Sequence, residues 1–159
     1  MIGAKLTLRP VAPGDGELLY RIYASTREEE LAAVPWDGRQ REAFLRAQFA
    51  AQSQWYEQHY VGASRSIVLL DDEPCGRLYV LHGGSEIRIM DIALLPEYRG
   101  RGVGGSLLRD VLDEGERAGK LVTIHVERFN PALRLYERLG FTVVEDKGVY
   151  LLLERPPAT

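Results

Sequence analysis

Residues 99–105 read Arg-Gly-Arg-Gly-Val-Gly-Gly, and from Val103 an apolar stripe runs on through Leu107, Leu108, Val111 and Leu112 at helical spacing. Glycines let a backbone approach a ligand closely, and the first turn of a helix presents N–H groups with no partner in the chain. The helix dipole favours an anion at that end. Arg99 and Arg101 can add charge-assisted hydrogen bonds to phosphate oxygens. The stretch from Gly100 through Arg101, Gly102, Val103 and Gly104 to Gly105 therefore predicts a phosphate or pyrophosphate ligand. The competing reading is a surface turn with two solvated arginines. Glu86 and Asp91 are the acidic residues of "EIRIMDIALLP", and Tyr136 falls in "NPALRLYERLG". Strand alternation puts Glu86 and Asp91 on opposite faces unless a bulge intervenes. Tyr136, near Leu133 and Leu139 at helical spacing, also fits simple packing.

These residues need elements to hold them. "KLTLRP" alternates as a half-buried strand. Asp15 stands as an N-cap before a helix carrying Leu18, Leu19, Ile22 and Tyr23. A second helix is expected from Arg39 to about Tyr60. The run Glu28-Glu29-Glu30 reads as a solvated helix end. "SIVLLDDEPCGRLYVLHG" is a strand, a turn and a strand, and Glu86 to about Leu95 is a third, stopped by Pro96. The glycine-led helix ends near Gly119, and "LVTIHVE" at 121–127 is the next strand. A short helix runs from Asn130 to the stop at Gly140, and a hairpin turns around Lys147 and Gly148. The order β-α-α-β-β-β-α-β-α-β-β predicts an α/β (α+β) domain with one mixed, mostly antiparallel sheet flanked by helices. Its 159 residues suit a single domain, 1–159, large enough for a real core.

Composition removes several function classes. A formal net charge of −3 argues against a nucleic-acid partner, which usually calls for a basic excess. No apolar run has the roughly 18 residues of a membrane span, and "MIGAKLTLRP" is too short an apolar stretch for a signal peptide, so no membrane partner and a cytoplasmic location are expected. His59, His82 and His125 lie far apart and Cys75 has no second cysteine, so no metal site is expected. Cys75 follows Pro74 in a turn with no local histidine to activate it, and reads as a bystander thiol. Gly100 to Gly105 literally matches G-x-G-x-x-G, with Glu127 about twenty residues on, which would make a dinucleotide site for an oxidoreductase. Pro96, Glu97, Tyr98 and Arg99 intervene between strand and glycines, however, and the motif arrives after a meander of strands rather than opening an alternating array. A P-loop fails because no Gly-Lys-Ser/Thr follows.

"DIALLPEYRGRGVGGSLL" resembles the acetyl-coenzyme A site of the GCN5-related N-acetyltransferases. Their Arg/Gln-x-x-Gly-x-Gly/Ala pattern is met by Arg99, Gly102 and Gly104, after a strand ending in Leu94-x-Pro96. "NPALRLYERLGF" resembles the family's second signature, and "LRPVAPGD" its first strand and turn. The resemblance covers essentially the whole chain.

It implies a sheet splayed between the fourth and fifth strands, at about 86–95 and 121–127. Pantetheine would lie in the splay, pairing with backbone at Ile92 and Leu94, with the pyrophosphate on the N–H groups of Gly100 to Gly105. An acetyl group would pass directly from the thioester to an amine. Tyr136 matches the family's tyrosine acid, and Glu86 the position from which some members recruit a base through water. Asp91 lies nearer the expected thioester, and its competing role is an ion pair with an arginine. Asn130 resembles the asparagine that contacts coenzyme A, but it stands one residue closer to the tyrosine than usual and precedes a proline, so it also suits an N-cap. Acceptor choice would fall to residues 27–60, with Trp36, Trp55, Tyr56 and Tyr60, and to the neighbourhood of Tyr150. A small-molecule or peptide amine is the expected partner, and a homodimer is possible. A non-catalytic acyl-coenzyme A sensor on the same fold is the alternative from another class.

Overall fold

The computed structural model describes residues 5–158. Seven strands form one sheet: β1 (Leu6–Pro10), β2 (Ser64–Leu70), β3 (Glu73–His82), β4 (Glu86–Leu94), β5 (Leu121–Glu127), β6 (Thr142–Asp146) and β7 (Tyr150–Arg155). Their order is β1-β2-β3-β4-β5-β7-β6. The sheet is mixed, as expected. β1 pairs antiparallel with β2, and β7 antiparallel with both β5 and β6, while β4 and β5 run parallel. A parallel pair needs a crossover, and α4 (Val103–Ala118) supplies it. The β4–β5 register joins Glu86–Ile89 to Leu121–Ile124 and goes no further, although both strands continue. This is the expected splay.

The chain divides into two compact units, residues 1–77 with 93–99 and residues 78–92 with 100–159. In the first, α1 (Gly16–Ser25) and α3 (Gly38–His59) enclose a cluster of Tyr23, Leu31 and Leu45, flanked by Tyr20, Trp36 and Phe49. A separate short helix, α2 (Glu28–Ala32), adds to the two helices expected here. The hydroxyls of Ser25 and Thr26 donate back to the carbonyls of Ile22 and Tyr23 at 2.7 and 2.6 Å, which favours ending α1 there. Glu28, Glu29 and Glu30 form the exposed N-terminal end of this helix, where acids suit the dipole. Asp15 stands at the N-cap of α1 but makes no capping bond. Its carboxylate accepts from Arg9 at 2.8 and 2.9 Å and from the Ala12 N–H at 2.7 Å. Asp71 and Asp72 form the β2–β3 turn with φ of 50° and 67°, a conformation aspartate tolerates better than most side chains.

In the second unit, α4 lays Leu107, Leu108, Val111 and Leu112 into a core with Val122, Ile124 and Val126 of β5. Gly115 permits the close approach: a Cβ there would lie 2.8 Å from Cγ2 of Val122. Gly119 ends α4 at φ 65°, and α5 (Leu133–Arg138) is short. No helix among the described residues is long and apolar enough to cross a membrane.

Candidate functional site

The segment after β4 is held by its own unit. Leu95 donates its N–H to the Cys75 carbonyl at 2.8 Å, and Pro96–Tyr98 make a single 3-10 turn. Beneath it, Gly76 of β3 lies so close that a Cβ would stand 2.3 Å from the Ala93 carbonyl oxygen. The Arg99 guanidinium donates to the Leu94 carbonyl at 3.0 Å and to the Ser25 carbonyl and hydroxyl at 3.4 and 3.2 Å. Those donors therefore act on protein, a use the sequence did not suggest.

Gly100 and Gly102 take φ of 74° and 82°, the left-handed region where glycine carries little penalty. Gly102 caps α4 and has no side chain to offer, and no acidic residue stands in the first turn. The N–H groups of Val103, Gly104 and Gly105 thus begin a 16-residue helix without a side-chain cap. That is the donor set a pyrophosphate needs, so these residues fit the anionic part of coenzyme A.

Within the second unit the three proton-moving candidates separate. Tyr136 is 4% exposed and packs edge-on against Phe141, with ring centroids 5.8 Å apart. Burial, and secondarily the charge of Asp91, push its phenol up to about 12. Asp91 is thus within electrostatic reach of Tyr136. Glu86 belongs to a different constellation. Its Oε2 accepts from the Thr123 hydroxyl at 2.7 Å and faces Nη2 of Arg88 at 3.6 Å. Nε of Arg88 donates to the same Thr123 hydroxyl at 3.2 Å. His125 lies near this group, with Nε2 3.1 Å from Nζ of Lys147. Burial first, then the cations of Arg88 and Lys147, hold its imidazole below the ordinary histidine range.

Thr123 is the residue that sequence reasoning misses. It is 1% exposed on β5, and no signal in the sequence marks it, because it takes a regular polar position in the alternation of "LVTIHVE". Asn130 is not an N-cap: Ala132 holds that position of α5, and Oδ1 of Asn130 accepts from the Ala132 N–H at 2.8 Å. Cys75 is fully buried in β3, not in a turn, and burial pushes its thiol up. Of the aromatics expected at the acceptor, Trp36 packs on Phe44, while Trp55 stacks on His59 at 4.1 Å and touches Tyr60. Tyr60 also lines a cavity of about 660 Å³ together with Arg9, Val11 and Arg65.

The acetyltransferase (GNAT) family model matches residues 18–141. The chain belongs to the GNAT acetyltransferase family. GNAT enzymes are acyltransferases that draw on acetyl-coenzyme A, and the dinucleotide reading of the glycines falls with that membership. The fold agrees. The PaiA N-acetyltransferase of Thermoplasma acidophilum, solved with coenzyme A, superposes with a TM-score of 0.72 at 17% identity, over 96% of this chain and 99% of that one. An acetyltransferase of Thermus thermophilus gives 0.69 at 23% identity, over 96% and 97%. Among curated proteins, a mycothiol acetyltransferase of Corynebacterium aurimucosum is 43% identical over 61 residues, 37% of this chain and 20% of that protein. A mycothiol acetyltransferase of Corynebacterium glutamicum (strain R) is 36% identical over 105 residues, 64% of this chain and 34% of that protein. The match thus spans about a third or less of each curated relative.

Proposed function

We propose that this GNAT chain, acting as one domain over 1–159, transfers an acetyl group from acetyl-coenzyme A directly to a primary amine. The observation that carries the reading is the α4 N-terminus at Gly102, left without a side-chain cap inside a segment that matches the family's cofactor pattern. Gly100 to Gly105 would take the pyrophosphate, and Ile92 and Leu94 would pair with pantetheine. Arg99 would fix the turn between them, Arg101 would add charge, and Asn130 would shape the turn before α5 from where it meets coenzyme A.

Acetyl-coenzyme A supplies the activated thioester carbonyl. The acceptor must attack as the neutral amine, and its nitrogen must shed one N–H proton as the amide forms, for which a carboxylate is the natural acceptor. Glu86 suits this better than Asp91. The side-chain contacts of Glu86 converge on Oε2, and its side chain is 37% exposed, which leaves Oε1 for the acceptor. Asp91 is placed to act on Tyr136. Tyr136, held protonated across the working pH range, would donate its phenolic proton to the sulfur of departing coenzyme A. The nitrogen–carbon bond forms as the carbon–sulfur bond breaks; one proton leaves the amine for Glu86 and another reaches sulfur from Tyr136. Backbone N–H groups of β4 would face the oxyanion.

A thiol-release assay with acetyl-coenzyme A across small amines, aminosugars, amino acids and peptide N-termini tests the reading. The mycothiol acetyltransferase relatives put small-molecule acceptors first in that panel. Turnover with any of these amines supports the assignment. Tight coenzyme A binding with no turnover would favour a sensor instead.

A further inference from the structure

Thr123 is a polar side chain at 1% exposure on the strand that pairs with β4. A buried hydroxyl must have partners, and this one has two with opposite roles. Nε of Arg88 can only donate, so it takes a lone pair of the Thr123 oxygen at 3.2 Å. The single hydroxyl proton is thereby directed at Oε2 of Glu86, 2.7 Å away. Arg88 and Thr123 are register partners across β4 and β5, and Glu86 is paired with Leu121 two residues earlier. Glu86 thus stands on the first, and Arg88 with Thr123 on the third, of the four paired rungs that precede the parting of the two strands.

We infer that Thr123, aimed by Arg88, is a positioning residue that reserves Oε2 of Glu86 as a hydrogen-bond acceptor and leaves Oε1 as the oxygen that receives the acceptor's proton. The inference rests on Glu86 being the base of the proposed transfer. Oε2 is occupied by a donated hydrogen, so a proton arriving at the carboxylate goes to Oε1. The carboxylate plane is fixed before the amine arrives, and general-base catalysis gains from that preorganisation.

The test uses the full chain with acetyl-coenzyme A and ethanolamine, glucosamine, spermidine and an alanyl peptide, scored on whichever turns over. Glu86→Gln is expected to lower kcat about 100-fold, within the usual range for losing a general base. Thr123→Val keeps the shape and removes the donor, and is expected to lower kcat about tenfold with KM for acetyl-coenzyme A unchanged, a loss of roughly one charge-assisted hydrogen bond. Thr123→Ser keeps the donor and should stay within about twofold of the parent. Thr123→Val added to Glu86→Gln should cost nothing further, because both act through one carboxylate.

A Glu86→Gln enzyme at parental rate, or no turnover with any of the four amines, overturns both the base assignment and this inference. A slow Glu86→Gln enzyme that Thr123→Val slows by a further tenfold overturns the inference alone, as does a Thr123→Ser enzyme as slow as Thr123→Val. Should Thr123→Val fail to fold, Arg88→Met removes the donor that aims the hydroxyl. It should lower kcat about threefold in the parent and leave Glu86→Gln unchanged; an equal loss in both backgrounds is the overturning result.

Discussion

The guanidinium of Arg99 donates to the carbonyl oxygen of Leu94 at 3.0 Å, so a side chain five positions on grips the end of its own strand. Its Nη2 donates to the carbonyl and the hydroxyl of Ser25 at the end of α1. A motif arginine that would conventionally be assigned to phosphate thus braces the turn between β4 and the glycines.

Arg99→Ala removes that brace. Hydrogen bonds from a charged group are worth about 1.5–3 kcal/mol each. The expected result is coenzyme A affinity lowered about tenfold or more, together with a lower melting temperature. Isothermal titration with coenzyme A and a thermal melt read the two effects. Weaker binding with an unchanged melt would mean that Arg99 meets the ligand itself.

Tyr136→Phe keeps the edge-on contact with Phe141 and deletes only the phenolic hydroxyl. Turnover should fall about 100-fold while the Kd for coenzyme A stays put. Unchanged turnover would remove Tyr136 as the acid and leave it a packing residue.

Two glycines should respond differently to alanine. At Gly102 a Cβ meets nothing within 4 Å, so only the φ of 82° matters, at about 1–2 kcal/mol. At Gly76 a Cβ would press on the Ala93 backbone at 2.3 Å, and no side-chain rotation relieves that. Urea denaturation should find Gly102→Ala folded and moderately weakened. Gly76→Ala should be unfolded, or weaker by more than about 3 kcal/mol.

Acid stability gives a signed expectation. Bonds from Arg9, and next from the Ala12 N–H, hold the Asp15 carboxyl at about 2, below its unfolded value of 3.8. A carboxylate depressed in the fold stabilises it fully above the unfolded value, and the contribution disappears as pH falls through the folded value. Asp15→Asn should therefore melt earlier than the parent near neutrality, and the gap should close between about pH 4 and pH 2. At the alkaline end Tyr136 works the other way. Its phenol is raised to about 12, so its contribution is whole below 10 and is lost as pH rises towards 12. Melting temperatures across pH read both limbs.

The strands and α4 were legible in the sequence because short-range periodicity decides them: alternation in "KLTLRP" and "LVTIHVE", a stripe from Val103 to Leu112. α2 was not, because its separation from α1 follows from two hydroxyls folding back on α1, a choice hydrophobic spacing does not record. The glycine-led start of α4 was legible since glycine and helix start are adjacent in the chain. The roles of Gly76, Thr123 and Arg99 were not. Each depends on a neighbour distant in sequence: Ala93 for Gly76, Glu86 for Thr123, and Ser25, 74 residues away, for Arg99. The surroundings that distinguish Glu86 from Asp91, Thr123 for one and Tyr136 for the other, likewise lie on other elements, which no alternation along β4 could reveal.

The β4–β5 register stops at Ile89 and Ile124, and Met90 to Ile92 run on beside His125 to Glu127 with no ladder joining them. Open strand edges recruit other extended chains, and here the opening lies inside the sheet, where neither trimming nor an edge lysine can blunt it. The seam proposed to take the acyl donor is therefore also a colloidal weakness. Concentrated protein freed of coenzyme A should scatter light sooner than protein stored with it, which gives the cosubstrate a second role as a solubility factor.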